Sequence, residues 1–164
     1  MVSLSGIKRV LSLDSDFLGL ESIGDNCQCE FSETRDVDGT GEVSRFYAVE
    51  SAFTLTGGMA DHRYRIAPSQ ILPVAALLAK AISETIGDSA LGAIADEVIA
   101  EIVAPVYHKK WIKECAIDLA ENLGGSIVLA GGRQGREAHV LVAAINKALG
   151  ACLLYTSPSP RDLY

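Results

Sequence analysis

The residues best suited to chemistry lie in three short stretches. Gly131-Gly132-Arg133-Gln134-Gly135 follows an apolar run and precedes a helical pattern. Free backbone N–H groups at such a turn, beside a helix N-terminus, can hold a phosphate. The spacing is not Gly-x-Gly-x-x-Gly, and it lacks the Lys-Ser/Thr of a phosphate-binding loop, so on its own it reads more simply as a tight turn. Glu50 closes a second apolar stretch. An acid there can accept from a nucleoside hydroxyl or a base edge, or it can simply face solvent. Asp61 and His62 form the third stretch. As a base and its orienting partner they are poorly placed, because neighbours on a strand point to opposite faces.

Other reactive residue types give less. Cys27 and Cys29 are too close for a Cys-x-x-Cys loop, Cys115 has apolar neighbours, and Cys152 lies near the end of the chain. A metal site is not expected. His108 and His139 read as surface or core residues. No Ser-His-Asp or Cys-His spacing supports a nucleophile, and no catalytic residue is assigned.

The elements that must position these residues follow from periodicity. Residues 8–14 and Arg45–Glu50 read as short strands, each ending on an acid, and residues 62–67 as a further extended stretch. A helix is predicted from about Leu72 to Gly87, with Pro73 tolerated in its first turn. Asp88 can cap a second, running to about Ala104 before Pro105. A third covers about residues 107–123, with Trp111, Cys115 and Leu119 on one face. Ser126–Ala130, the glycine turn and a helix to Leu149 make a strand–turn–helix unit. The fold class is α/β: a partial doubly wound, Rossmann-like sheet with flanking helices, and an incomplete domain. The connection between the first two strands is long and acidic, with little helical period. It carries seven acids from Glu21 to Glu42 against Arg35 alone.

The formal net charge of −7 makes nucleic acid a poor partner. The longest apolar run, residues 71–79, stops at Lys80, well short of the ~18 residues a membrane helix needs, so no membrane insertion by this segment is expected. After Gly150 the pattern breaks. Cys-Leu-Leu-Tyr-Thr-Ser-Pro-Ser-Pro-Arg-Asp, residues 152–162, resembles the translation of an adapter used in sequencing libraries. Residues 1–151 therefore read as a domain fragment and 152–164 as a non-native, irregular tail. The natural chain is expected to continue beyond Ala151 into further strands, leaving sheet edge and helix surface uncovered and the isolated chain marginally folded.

Residues 45–67, Arg-Phe-Tyr-Ala-Val-Glu-Ser-Ala-Phe-Thr-Leu-Thr-Gly-Gly-Met-Ala-Asp-His-Arg-Tyr-Arg-Ile-Ala, resemble the molybdopterin oxidoreductase family of the dimethyl sulfoxide reductase superfamily. There a strand ends in an acid, threonines follow, and an Ala-Asp pair precedes an extended stretch and a helix. Val-Leu-Ser-Leu-Asp-Ser-Asp-Phe-Leu-Gly at residues 10–19 and Thr-Gly-Gly-Met-Ala-Asp-His-Arg at residues 56–63 are closer to one branch, the Tat-translocated iron–sulfur subunit of alternative complex III, a quinol:electron-acceptor oxidoreductase. The final strand–turn–helix unit resembles the next segment of that domain, so the likeness covers about residues 6–151.

The resemblance implies an α/β domain that, in active members, binds one guanosine end of a molybdopterin guanine dinucleotide. Glu50 matches the nucleotide-contacting acid, Thr54 and Thr56 the following threonines, and Asp61 the Ala-Asp pair. The turn of Gly131, Gly132 and Gly135 completes the implied cofactor-binding set. Two departures matter. Active members usually have Asp-Pro-Arg where this chain has Glu50-Ser51-Ala52, and a Gly-x-Asn-Pro turn where it has Asp14-Ser15-Asp16-Phe17. The complex III branch is thought to keep the fold without the molybdenum cofactor, with iron–sulfur clusters in another domain. The first expectation is thus a scaffold on the periplasmic side of a bacterial inner membrane, docked onto other subunits of a quinol-oxidising electron-transfer complex. The alternatives are an active molybdenum domain binding the dinucleotide, and a nucleotide-binding module unrelated to redox.

Overall fold

The computed structural model describes residues 3–21, 26–37, 43–101 and 108–151. Four strands, β1 (Arg9–Leu13), β2 (Arg45–Glu50), β3 (His62–Arg65) and β4 (Ser126–Ala130), form one sheet in the order β3-β2-β1-β4. Every pairing is parallel, with Arg9 opposite both Arg45 and Ser126, and Tyr47 opposite His62. The helices are α1 (Cys27–Glu33), α2 (Leu55–Gly58), α3 (Ile71–Ile86), α4 (Ser89–Glu101), α5 (Lys109–Ala120) and α6 (Arg136–Ala148), with a 3-10 turn at Pro68–Gln70. The chain is α/β, consistent with part of a Rossmann-like fold.

Alternation along the strands divides the core into two layers. Leu11, Leu13, Tyr47, Val49 and Val128 face the layer built from α3, α4, α5 and α6. Val10, Phe46, Ala48, Ile127 and Leu129 face the other, with Phe17 and the α1 residues Cys27 and Phe31. Phe17, Phe31 and Phe46 meet edge-on with centroids 5.3–5.8 Å apart, the favoured geometry for ring quadrupoles. A parallel sheet needs cover on both faces, which is why its strands are apolar on both sides.

Local sequence signals set the helix ends. Asp88 Oδ1 accepts from the Ala90 and Leu91 amides at 3.0 Å, capping α4. Gly87, at φ 75°, ends α3 in the left-handed region. On α6 the buried Asn146 reaches back to β4. Its amide accepts from Val128 N at 2.8 Å and donates to Val128 O at 2.7 Å, as a neighbouring strand would.

Three expectations are refined. β3 ends at Arg65 rather than residue 67, and α3 begins at Ile71. The acidic connection contains α1, whose buried face is only Cys27 and Phe31 one turn apart. Seven residues are too few for a period to show. The expected helix ends at Ala104 and Tyr107 and the tail from Cys152 lie outside the described residues. Among the described residues no helix is long and apolar enough to cross a membrane.

Candidate functional site

Three loops meet at the carboxyl edge of the sheet, those following β1, β2 and β4. The strand order reverses between β1 and β4, and in doubly wound sheets the ligand crevice opens at that point.

Asp14 stands at its centre. Its backbone lies in the left-handed region at φ 54°, which aspartate tolerates better than most residues. Its side chain is 5% exposed, with Arg133 3.9 Å away. Oδ1 accepts from the amide and the hydroxyl of Ser51, each at 3.1 Å. Oδ2 accepts from Gln134 Nε2 at 2.9 Å. One carboxylate thus joins the loop after β2 to the glycine turn after β4, across the end of β1.

The neighbouring acids are held in the same way. Asp16 Oδ1 accepts from the Thr56 amide at 3.2 Å and its hydroxyl at 2.7 Å, and Oδ2 from the Leu20 amide at 3.0 Å. Burial works to raise the Asp16 pKa, but the Thr56 hydroxyl and the Leu20 and Thr56 amides outweigh it and hold the carboxyl below its ordinary value. Glu50 is 4% exposed. Its Oε2 accepts from the Thr54 hydroxyl at 2.6 Å, and its Oε1 from Arg63 Nε. Thr54 Oγ1 in turn caps α2 by accepting from the Gly57 amide at 3.0 Å. A Cβ on Gly57 would lie 1.8 Å from Glu50 Oε1, so this glycine lets α2 rest on the carboxylate. The Arg63 guanidinium also lies over the Phe53 ring, 4.9 Å from its centroid.

The glycine turn is similarly engaged. Gly131 N–H donates to Leu13 O at 3.0 Å, and Gly132 N–H points at Glu21 Oε2, 3.4 Å away. Glu21 therefore takes a position where a phosphate oxygen would otherwise sit. Gly135 is the N-cap of α6 and brings no side chain. Ser15 Oγ is the exception, buried beside Gly131 with no hydrogen-bond partner among the described residues.

Of the residues that the sequence singles out, Glu50, Thr54 and Thr56 gather at this edge, and Gly131, Gly132 and Gly135 lie on the far side of Asp14. Asp61 is elsewhere. At the amino end of β3, it accepts from Arg35 at 2.6 and 2.8 Å and from the Phe46 amide at 2.8 Å. The guanidinium holds its carboxyl below the ordinary value, against the effect of burial. Among the described residues no hydrogen bond joins it to His62, which stacks on Tyr47, 5.1 Å between centroids. Sequence reasoning missed Ser51, Arg63 and Gln134 as partners of the acids. Their types were visible, but their meeting depends on the strand order, which no local spacing encodes.

With these bonds in place, a guanine dinucleotide does not fit this donor set. Its pyrophosphate would lie among Asp14, Asp16 and Glu21, where like charge repels it, and its hydroxyls would compete with Thr54 and Arg63 for Glu50. Among the described residues no three His, Cys, Asp or Glu side chains gather as a metal site. Cys27 is buried and Cys29 exposed, both as free thiols. Neither a protein-family model nor a curated protein matches the chain.

Proposed function

We propose that this chain is a scaffold domain of a molybdopterin oxidoreductase-like subunit in a quinol-oxidising electron-transfer complex on the periplasmic side of a bacterial inner membrane, without a molybdenum cofactor of its own. The resemblance of residues 10–19 and 45–67 supplies the family. The observation that carries the scaffold reading is the mutual engagement of Asp14, Asp16 and Glu50 with Ser51, Thr56, Thr54 and Arg63 at the edge where active members hold a nucleotide. These bonds stiffen the three loops into a surface suited to docking other subunits, while the carboxylates disfavour a pyrophosphate.

Elemental analysis of the subunit purified in its complex tests this. The expected result is iron without molybdenum above the level of a metal-free control protein. One molybdenum per chain would overturn it.

The convergence of Glu50, Thr54 and Thr56 favours one second reading, an active domain holding the guanosine end through these residues and the Gly131–Gly135 turn. It requires Arg63 to release Glu50 when the nucleotide enters.

A further inference from the structure

The amino edge of the sheet carries an open cavity of about 730 Å³, within the range of small-molecule sites. It lies at the opposite end of the strands from the glycine turn, between α5 and the first residues of β2 and β3. One stripe of α5 faces it: Trp111, Glu114, Asp118 and Glu121, at i, i+3, i+7 and i+10, so they share a helix face. Across from this stripe stand Tyr47 and His62.

The aromatic groups are already assembled into a wall. Tyr47 stacks on His62 at 5.1 Å and meets Trp111 edge-on at 5.8 Å. Tyr64 backs Trp111 at 5.3 Å. Asp118 forms the floor, where a single oxygen, Oδ2, takes Arg9 Nε at 2.8 Å, the Tyr47 hydroxyl at 2.7 Å and Arg45 Nη1 at 3.0 Å. No described residue makes a hydrogen bond to Oδ1.

The charges beside this wall point to the ligand's sign. Arg45 is compensated by Asp118. Glu114 and Glu121 make no ion pair or hydrogen bond among the described residues, and Glu121 is the C-cap of α5, the end where the helix dipole disfavours a negative charge. His108 and Lys110 also line the cavity; Lys110 stands one turn before Glu114 on the same helix face, but no ion pair joins the two among the described residues. An aromatic face with the Glu114 carboxylate one turn away attracts a cation through both the ring quadrupole and direct pairing.

We propose that this cavity binds an organic cation, an amidinium, guanidinium or ammonium on an apolar body, with the cationic head between the Trp111 ring and Glu114. The site is independent of the scaffold reading, since it shares no residue with the carboxyl edge.

Trp111 is the only tryptophan in the chain, so its indole N–H resonance reports the cavity alone. Benzamidine, an aryl cation, is titrated into the ¹⁵N-labelled full chain, with benzoate as the probe of opposite charge on the same ring. The expected result is a saturable shift with benzamidine at a Kd of about 1 mM and none with benzoate. Glu114→Gln, an exposed and nearly isosteric change, is expected to weaken binding about fivefold while the other amide resonances stay in place. Equal or tighter binding of benzoate, no saturation with benzamidine, or unchanged affinity in Glu114→Gln would each overturn the proposal.

Discussion

Gly131→Ala is expected to destabilise the chain by about 3 kcal/mol, the upper end for overpacking at a site that cannot yield. A Cβ at this position would lie 1.9 Å from the Asp14 carbonyl oxygen and 2.7 Å from its carbon. Both are backbone atoms. They are fixed by the β1–β4 ladder below and by the bond from Gly131 N–H to Leu13 O, so no rotamer change relieves the clash. The end of β1 must move, and with it Asp14 and its ties to Ser51 and Gln134. Gly132→Ala is the control, because nothing lies within 4 Å of a Cβ there, and its effect is expected to stay within about 0.5 kcal/mol. Urea midpoints of the two variants measure the difference. Equal midpoints would mean that β1 and the glycine turn do not approach as described.

Asp118→Ala is the second large effect, a loss of about 2–3 kcal/mol. The carboxylate joins β1, β2 and α5 through Arg9, Arg45 and Tyr47, and its side chain is 13% exposed. Removing it leaves Arg9, itself 18% exposed, without its counter-charge. Arg45 is nearly half exposed and contributes less. Burial works to raise the Asp118 pKa, but Arg9, the Tyr47 hydroxyl and Arg45 outweigh it, so the folded pKa lies below the ordinary value of 3.8. A depressed folded pKa lends stability in full above pH 3.8, and that stability is lost as the pH falls from there through the folded value. Asp118→Asn removes this contribution. Its stability is expected to decline less steeply with acid than that of the parent chain, as read by urea midpoints at a series of pH values. Identical slopes would show that Asp118 carries no such linkage.

Where a segment was long and regularly patterned, the sequence located it well. α3 and α6 bury one stripe each over 16 and 13 residues, enough turns for the period to emerge, and Gly87 and Asp88 mark a boundary by backbone chemistry alone. α1 was not legible, since one turn separates its only two buried residues. α2 was hidden in a glycine-bearing stretch because its cap, Thr54, resembles an ordinary turn residue. At the carboxyl edge, Glu50 and the glycine turn were readable as strand-end features. Their engagement was not, because Arg63 reaches Glu50 only once β3 lies beside β2, and Gln134 reaches Asp14 only once β4 lies beside β1. The resemblance placed Asp61 in the same implied cofactor-binding set as Glu50, yet a strand's length separates the two edges. The cavity under α5 left a fainter signal. The sequence placed Trp111 on one face with Cys115 and Leu119, not with Glu114 and Asp118, and nothing in it brought Tyr47 and His62 opposite them.

At the carboxyl edge the chain's own side chains engage Asp14, Asp16 and Glu50, so a nucleotide is expected to find no open site there. Titrating guanosine diphosphate into the ¹⁵N-labelled chain, and following the amides of Thr54, Thr56, Gly131, Gly132 and Gly135, tests it most directly. The expected result is no saturable shift at any of these amides up to about 5 mM, an affinity weaker than about −4 kcal/mol. Saturable shifts at both the Thr54–Thr56 and Gly131–Gly135 amides, with a Kd of about 0.1 mM or tighter, would contradict it and restore the nucleotide-binding reading.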